Sequence, residues 1–238
     1  MGLCWSQRGK SGHAEEPDRG TFWRGTAIDI DTRLRVGRAI GKNEEEVALT
    51  MMHQIRDRSN PTEPPATATD GCDSYAEAML EVWGKVPEYS GLGRPPTRKQ
   101  PQPGWKCIEI IKHRSGGHLV SITYKVVYGD PNEVPALLGL NTAYVERTNL
   151  TSRQMNGRMV RKTLSFSKEK EMLEASCAWE DWVYNLTRQV KSLRIEANDG
   201  QRLWKPRSPA MAAGLTDHIW TLEELMRTVV VPDRDNAK

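Results

Sequence analysis

An α/β protein, with a mixed sheet flanked by helices, is the fold class this sequence predicts, and three features predict it. A β-rich hairpin lies near the start, a short strand stops on an acid and runs into a helix, and helical patterning dominates beyond Asn141. In the stretch Thr21 to Lys42, β-branched and aromatic residues flank an Asp-rich turn around Asp29 to Thr32, which reads as two antiparallel strands. Asn43 then caps a helix. Glu44, Glu45 and Glu46 occupy its first turn, where the macrodipole favours anions, and Val47, Leu49, Met51, Met52 and Ile55 supply apolar positions. The Asn60-Pro61 step ends it.

After a Pro-rich link, the PPATATDG segment predicts a strand stopping at Asp70-Gly71, followed by a helix from Ser74 to Trp83 with Tyr75, Ala78, Met79 and Val82 spaced for burial. Gly91 to Gly104 is a Pro- and Arg-rich loop. Trp105 to His113 and His118 to Tyr128, separated by SGG, predict a second hairpin. Helical patterning runs from Asn141 through Arg161, breaks near Ser165 and resumes from Lys168 to Val190. A last helix, Thr221 to Val229, starts with Thr221 and Glu224 at capping-box spacing. The order matches a ribonuclease H-like fold with an incomplete first strand. The expected organisation is a ribonuclease H-like core over 1–165, with a hairpin insertion around 91–130, and a C-terminal helical extension over 166–238 packed on the core.

With 238 residues, 37% hydrophobic and 27% charged, the chain can bury one good core. A mean hydropathy of −0.64, with no apolar run near the roughly 20 residues of a spanning helix, argues against a membrane protein. The start lacks the apolar stretch of a secretory signal. Cys4, Cys72, Cys107 and Cys177 are scattered, with no Cys-x-x-Cys pair, so neither a disulfide framework nor a zinc module is indicated and a reducing, cytoplasmic setting is expected.

The net charge of +3 hides segregation. Between His13 and Glu81 stand 14 acidic and 8 basic residues; Arg147 to Lys170 carries seven basic residues against Glu169, and Gly91 to Lys125 seven against Glu109. Carboxylates beside a polyanion track would have this pattern. Solvated helix faces would have it too, and on charge alone they are the commoner cause.

Phosphodiester chemistry with two divalent cations about 4 Å apart needs carboxylates brought together from different elements. Asp70, at the carboxyl end of a strand and beside a helix start, fits one role, and Glu146, near the start of a helix, fits a second. Arg153, seven residues on, shares the helix face of Glu146 and could hold a phosphate. Singly, each has an ordinary reading: Asp-Gly is a common turn, and Glu-Arg on a helix is usually surface. Asp29 reads as a turn residue, with a role as a substitute metal ligand the lesser reading, and His53, His113, His118 and His218 show no ligand spacing.

The segment YVERTNLTSRQMNGRMVRKTLSFSKE, with TDGCDSYAEAM upstream and SPAMAAGLTDHIWTLEEL downstream, closely resembles transposases of the insertion-sequence-one family, over about Trp5 to Met226. The resemblance implies a DDE transposase that uses Mg2+ or Mn2+ to cleave and transfer DNA strands at element ends. Asp70 and Glu146 would be the second and third acids and the metal ligands; Arg147, Arg153, Arg158, Arg161 and Lys162 would contact DNA. The implied partners are terminal inverted repeats, target DNA and further copies of the chain in a homo-oligomer, with no membrane. In the family the first Asp lies in an Asp-Glu-x-Trp-Ser-like segment. Here GLCWS stands at Gly2 to Ser6, so its place falls at Gly2, and the DNA-binding region that commonly precedes the core has no counterpart. The expectation is therefore a truncated copy, or one read from a late start codon, with little or no activity. Two alternatives stand beside it: a non-catalytic DNA-binding remnant that competes with or joins intact transposase, and a general ribonuclease H-like nuclease.

Overall fold

The structure, a computed structural model, describes residues 22–89, 91, 93–139, 142–160, 163–197 and 203–228, together with the backbone of one strand at Gly2–Cys4. Its centre is a six-stranded mixed sheet. In chain order the strands are β1 (Gly2–Cys4), β2 (Trp23–Ile28), β3 (Arg35–Gly41), β4 (Thr67–Asp70), β5 (Cys107–Ser115) and β6 (His118–Tyr128), and in space the order is β3-β2-β1-β4-β5-β6. β1, β4 and β5 run parallel, while β2, β3 and β6 form antiparallel pairs.

The first hairpin forms as the sequence predicts. Its turn is closed by Asp29, whose amide donates to the Leu34 carbonyl and whose carbonyl accepts from the Arg33 amide, both at 2.8 Å. The Asp29 carboxylate accepts from the amide and hydroxyl of Thr32, and Arg33 takes up a left-handed φ of 61°. Helix α1 (Glu44–Arg58) starts as expected: Asn43 Oδ1 accepts from the Glu46 amide at 2.7 Å. It crosses β2 and β3 at close range because both strands present glycine to it. A Cβ on Gly25 would stand 2.7 Å from Val47 Cγ1, and one on Gly37 2.7 Å from Met51 Sδ.

Helices α1 and α2 (Ser74–Trp83) cover one face of the sheet, burying Ala27, Ala39, Met51, Met79, Trp83 and Cys107. On the other face α3 (Glu133–Leu138) packs Val134 on Ala68, Ile108 and Ile110, and α4 (Ala143–Met155) packs Val145 on Ile28. Also there, α5 (Lys170–Thr187) sets Leu173 and Cys177 against Phe22, Ile40 and Met159. Two short strands, β7 (Ile195–Glu196) and β8 (Trp204–Lys205), and helices α6 (Pro209–Ala212) and α7 (Leu222–Arg227) complete the chain. The capping box expected at Thr221 and Glu224 is present.

Two expectations need correction. The second hairpin is not an insertion around 91–130, because β5 pairs with β4 from Thr67↔Cys107 to Asp70↔Ile110, making β5 and β6 the sheet's own flank. Cys107 to Ile110 is buried on both faces, as an interior strand requires. Nor does the helix from Asn141 run through Arg161. It ends at Met155, where Asn156 turns extended and its side chain accepts from the Arg158 amide at 3.1 Å, opening a 3-10 turn over Gly157–Met159.

A buried ion network fastens α5 to the sheet. Arg24 reaches Glu180 and Asp181 at 3.0 Å each, Arg35 reaches the same two acids at 2.5 and 2.9 Å, and Arg38 reaches Asp181 at 2.7 Å. The Asn185 amide accepts from the Arg35 backbone N–H and donates to its carbonyl, standing in for a neighbouring strand beside β3. Cys72, Cys107 and Cys177 are free thiols. Among the described residues no helix is long and apolar enough to cross a membrane.

Candidate functional site

At the carboxyl ends of β4 and β5 the sheet, α1 and α4 leave a cleft of about 1070 Å³. Strand β4 delivers Asp70 to its floor, and the chain turns at once, with the Cys72 amide donating to the Asp70 carbonyl at 2.6 Å. The turn lies tightly against β5, since a Cβ on Gly71 would come within 3.0 Å of Ile111 Cγ1. Asp70 follows Ala68 by two residues, so both belong to the face covered by α4. Helix α4 supplies Glu146, Arg147, Asn149 and Arg153, β5 supplies Lys112 and Arg114, and the start of α1 supplies Glu44.

Asp70 and Glu146, proposed from sequence as a pair, therefore line one cleft, and Arg147 and Arg153 line it with them. Arg158 is not among the lining residues; its guanidinium donates to Ser167 Oγ at 3.0 Å. Arg161 and Lys162 lie outside the described residues. Asp29 stays at its turn, as the sequence reading had it, away from the cleft lining.

The cleft mixes both signs of charge. Lys112 Nζ donates to Glu146 Oε1, and Thr142 Oγ1 donates to the same oxygen at 3.3 Å. Arg114 and Arg147 have no ion-pair partner among the described residues. Asn149 is buried in the cleft wall, and its Nδ2 has no hydrogen-bond partner among the described residues. Sequence reasoning had not assigned Lys112, Arg114 or Glu44 to the site. For Lys112 and Arg114 the available signal was the alternation that continues Ile108 and Ile110 along one face of β5.

A divalent metal pair does not fit the residues present. Among the described residues no three His, Cys, Asp or Glu side chains gather as a metal site, and one oxygen of Glu146 is already taken by the Lys112 ammonium. The register bears on where a third acid would have to stand. Gly2 pairs with Ala68 of β4 and with Ile28 of β2, so position 2 belongs to the sheet face that carries Asp70 and faces α4. No family model, no curated protein and no solved structure matches this chain.

Proposed function

We propose that this chain is the ribonuclease H-like core of an insertion-sequence transposase, and that as it stands it binds DNA in the cleft without cutting it. One observation carries the reading: Asp70 at the end of β4 and Glu146 on α4, far apart in sequence, line the same cleft as Arg147 and Arg153. The order β3-β2-β1-β4-β5, with β1, β4 and β5 parallel and a helix after β3 and after β4, supports the ribonuclease H-like assignment.

Phosphates are the natural ligand for such a wall. Arg114, Arg147 and Arg153 supply positive charge along it. With glycine at the position of the first acid and Lys112 on Glu146, the chain acts as a DNA-binding competitor or partner of an intact transposase at terminal repeats or target DNA.

The test is a nicking assay with element-end DNA in Mg2+ or Mn2+, run beside a binding assay. The wild-type chain is expected to bind and not nick, and Gly2→Asp to gain metal-dependent nicking. Robust strand transfer by the wild-type chain would overturn the incomplete-site argument. Absence of DNA binding at low ionic strength would overturn the reading as a whole.

A further inference from the structure

Strand β4 ends at Asp70 opposite Ile110, but β5 continues to Ser115 and pairs with β6 all the way to the Gly116-Gly117 turn. The outer part of this pair is thus a two-stranded ribbon overhanging the sheet beside the cleft. Two-stranded ribbons are marginal alone. Its cleft-side face is laid out in two rows. The β5 row, following Ile108 and Ile110, is Lys112 and Arg114, both lining the cleft. The β6 row is their cross-strand partners: Tyr124 opposite Ile110, Ile122 opposite Lys112 and Leu119 opposite Arg114.

All three β6 residues are exposed, Tyr124 at 47%, Ile122 at 43% and Leu119 at 49%. From Ile110 to Gly129 the sequence has no Asp or Glu, so the ribbon's own formal charges are all positive. Cross-strand neighbours stand about 5 Å apart, so an aromatic and aliphatic row runs directly beside a cationic one.

We propose that this ribbon face is a platform for unpaired nucleotides, continuous with the cleft. The inference rests on the DNA-binding reading above. A duplex keeps its base faces stacked inside and would meet only the cationic row. Unpaired nucleotides use both rows at once: a phosphate goes to Arg114, beside the Lys112 that Glu146 holds, and a base stacks on Tyr124 with Ile122 and Leu119 extending the apolar surface. The ligand class is therefore DNA with a single-stranded or frayed end leading into the cleft. A second copy of the chain adding to the edge of β6 is the less favoured occupant. The β5–β6 register shifts at Cys107/Ile108 and at His113/Arg114, and such bulges interrupt the straight edge that strand addition needs.

Fluorescence anisotropy with the full chain tests this on three probes: a blunt duplex, the same duplex with a single-stranded thymidine overhang, and a thymidine homo-oligonucleotide. The overhang duplex is expected to bind tightest. Tyr124→Ala should weaken the overhang and homo-oligonucleotide complexes about tenfold and leave the blunt duplex unchanged, while Tyr124→Phe keeps wild-type affinity. Arg114→Ala, a second probe that does not depend on the tyrosine, should weaken all three. Equal affinity for blunt and overhang duplexes, or loss on Tyr124→Ala that does not distinguish them, overturns the platform and leaves the cleft reading standing. Binding to none of the three overturns both. A Tyr124→Ala chain of lower mass by light scattering, with unchanged DNA affinity, would make the strip a contact between copies instead.

Discussion

Two clusters of charge lie on the same side of this sheet, and they are built in opposite ways. Under α5, Arg24, Arg35, Glu180 and Asp181 have side chains between 1% and 9% exposed, and each acid meets two or more guanidinium contacts. In the cleft, Glu146 is 47% exposed with one ammonium partner, and Arg114 and Arg147 have no ion-pair partner among the described residues. A charge closed on all sides can only hold the protein together. Charges left half-open can exchange their partners for a ligand's.

The largest predicted effect lies in the closed cluster. Replacing Glu180 by Ala leaves Arg24 and Arg35 buried with one acid fewer between them, and should cost about 3–5 kcal/mol in chemical denaturation. Burial alone would push the Glu180 carboxyl up, but the guanidiniums of Arg24 and Arg35 outweigh it and hold its pKa below the ordinary 4.5. The stability it contributes is thus complete above that ordinary value and is lost as pH falls through the lower folded one. Wild type should show this acid-side loss in pH-dependent unfolding, and Glu180→Gln should show less of it.

In the open cluster the same kind of substitution should spare stability and reduce binding. Arg147→Ala should keep the unfolding midpoint near wild type while lowering DNA affinity several-fold and reducing the salt slope by about one. A smaller effect is expected at Lys112. As half of a partly exposed pair it contributes about 0–1 kcal/mol, so Lys112→Met should barely move the unfolding midpoint. By leaving the Glu146 carboxylate without its ammonium, it should lower DNA affinity a few-fold. Unchanged affinity would mean that Lys112 adds nothing to the positive charge of the cleft.

The smallest effect is local. Protonated His218 donates through Nδ1 to Asp217 at 2.6 Å and through Nε2 to Glu224 at 2.8 Å, and these carboxylates raise its pKa above 6.5. The protonated form is favoured by the fold, so this contact is complete below the ordinary value and lost as pH rises through the higher folded one. An NMR titration should place the midpoint above 6.5 in wild type and lower in Glu224→Gln.

Local chemistry was legible in the sequence. The Asp29 turn, the Asn43 cap, the strand ending at Asp70 and the Thr221 capping box all depend on residues within a few positions of one another. Pairing across the chain was not legible. Glu180 and Asp181 look like ordinary helix-surface acids until β2 and β3 bring arginines beneath them. Reading 105–128 as an inserted hairpin missed its parallel pairing with β4, which no local pattern encodes. The cleft was half visible: Asp70, Glu146, Arg147 and Arg153 stood out on α4 and at a strand end, whereas Lys112 and Arg114 join them only once β5 is placed beside β4.

DNA binding in the cleft is tested by one titration: duplex DNA affinity of the wild-type chain and of an Arg147→Ala/Arg153→Ala double variant, followed from about 50 to 200 mM salt without divalent metal. Wild type should bind at low salt and weaken steeply, and the double variant, while remaining folded, should bind more weakly with a slope shallower by about two. Absence of binding by the wild-type chain, or a double variant with the same affinity and slope, would contradict the assignment of the cleft to DNA.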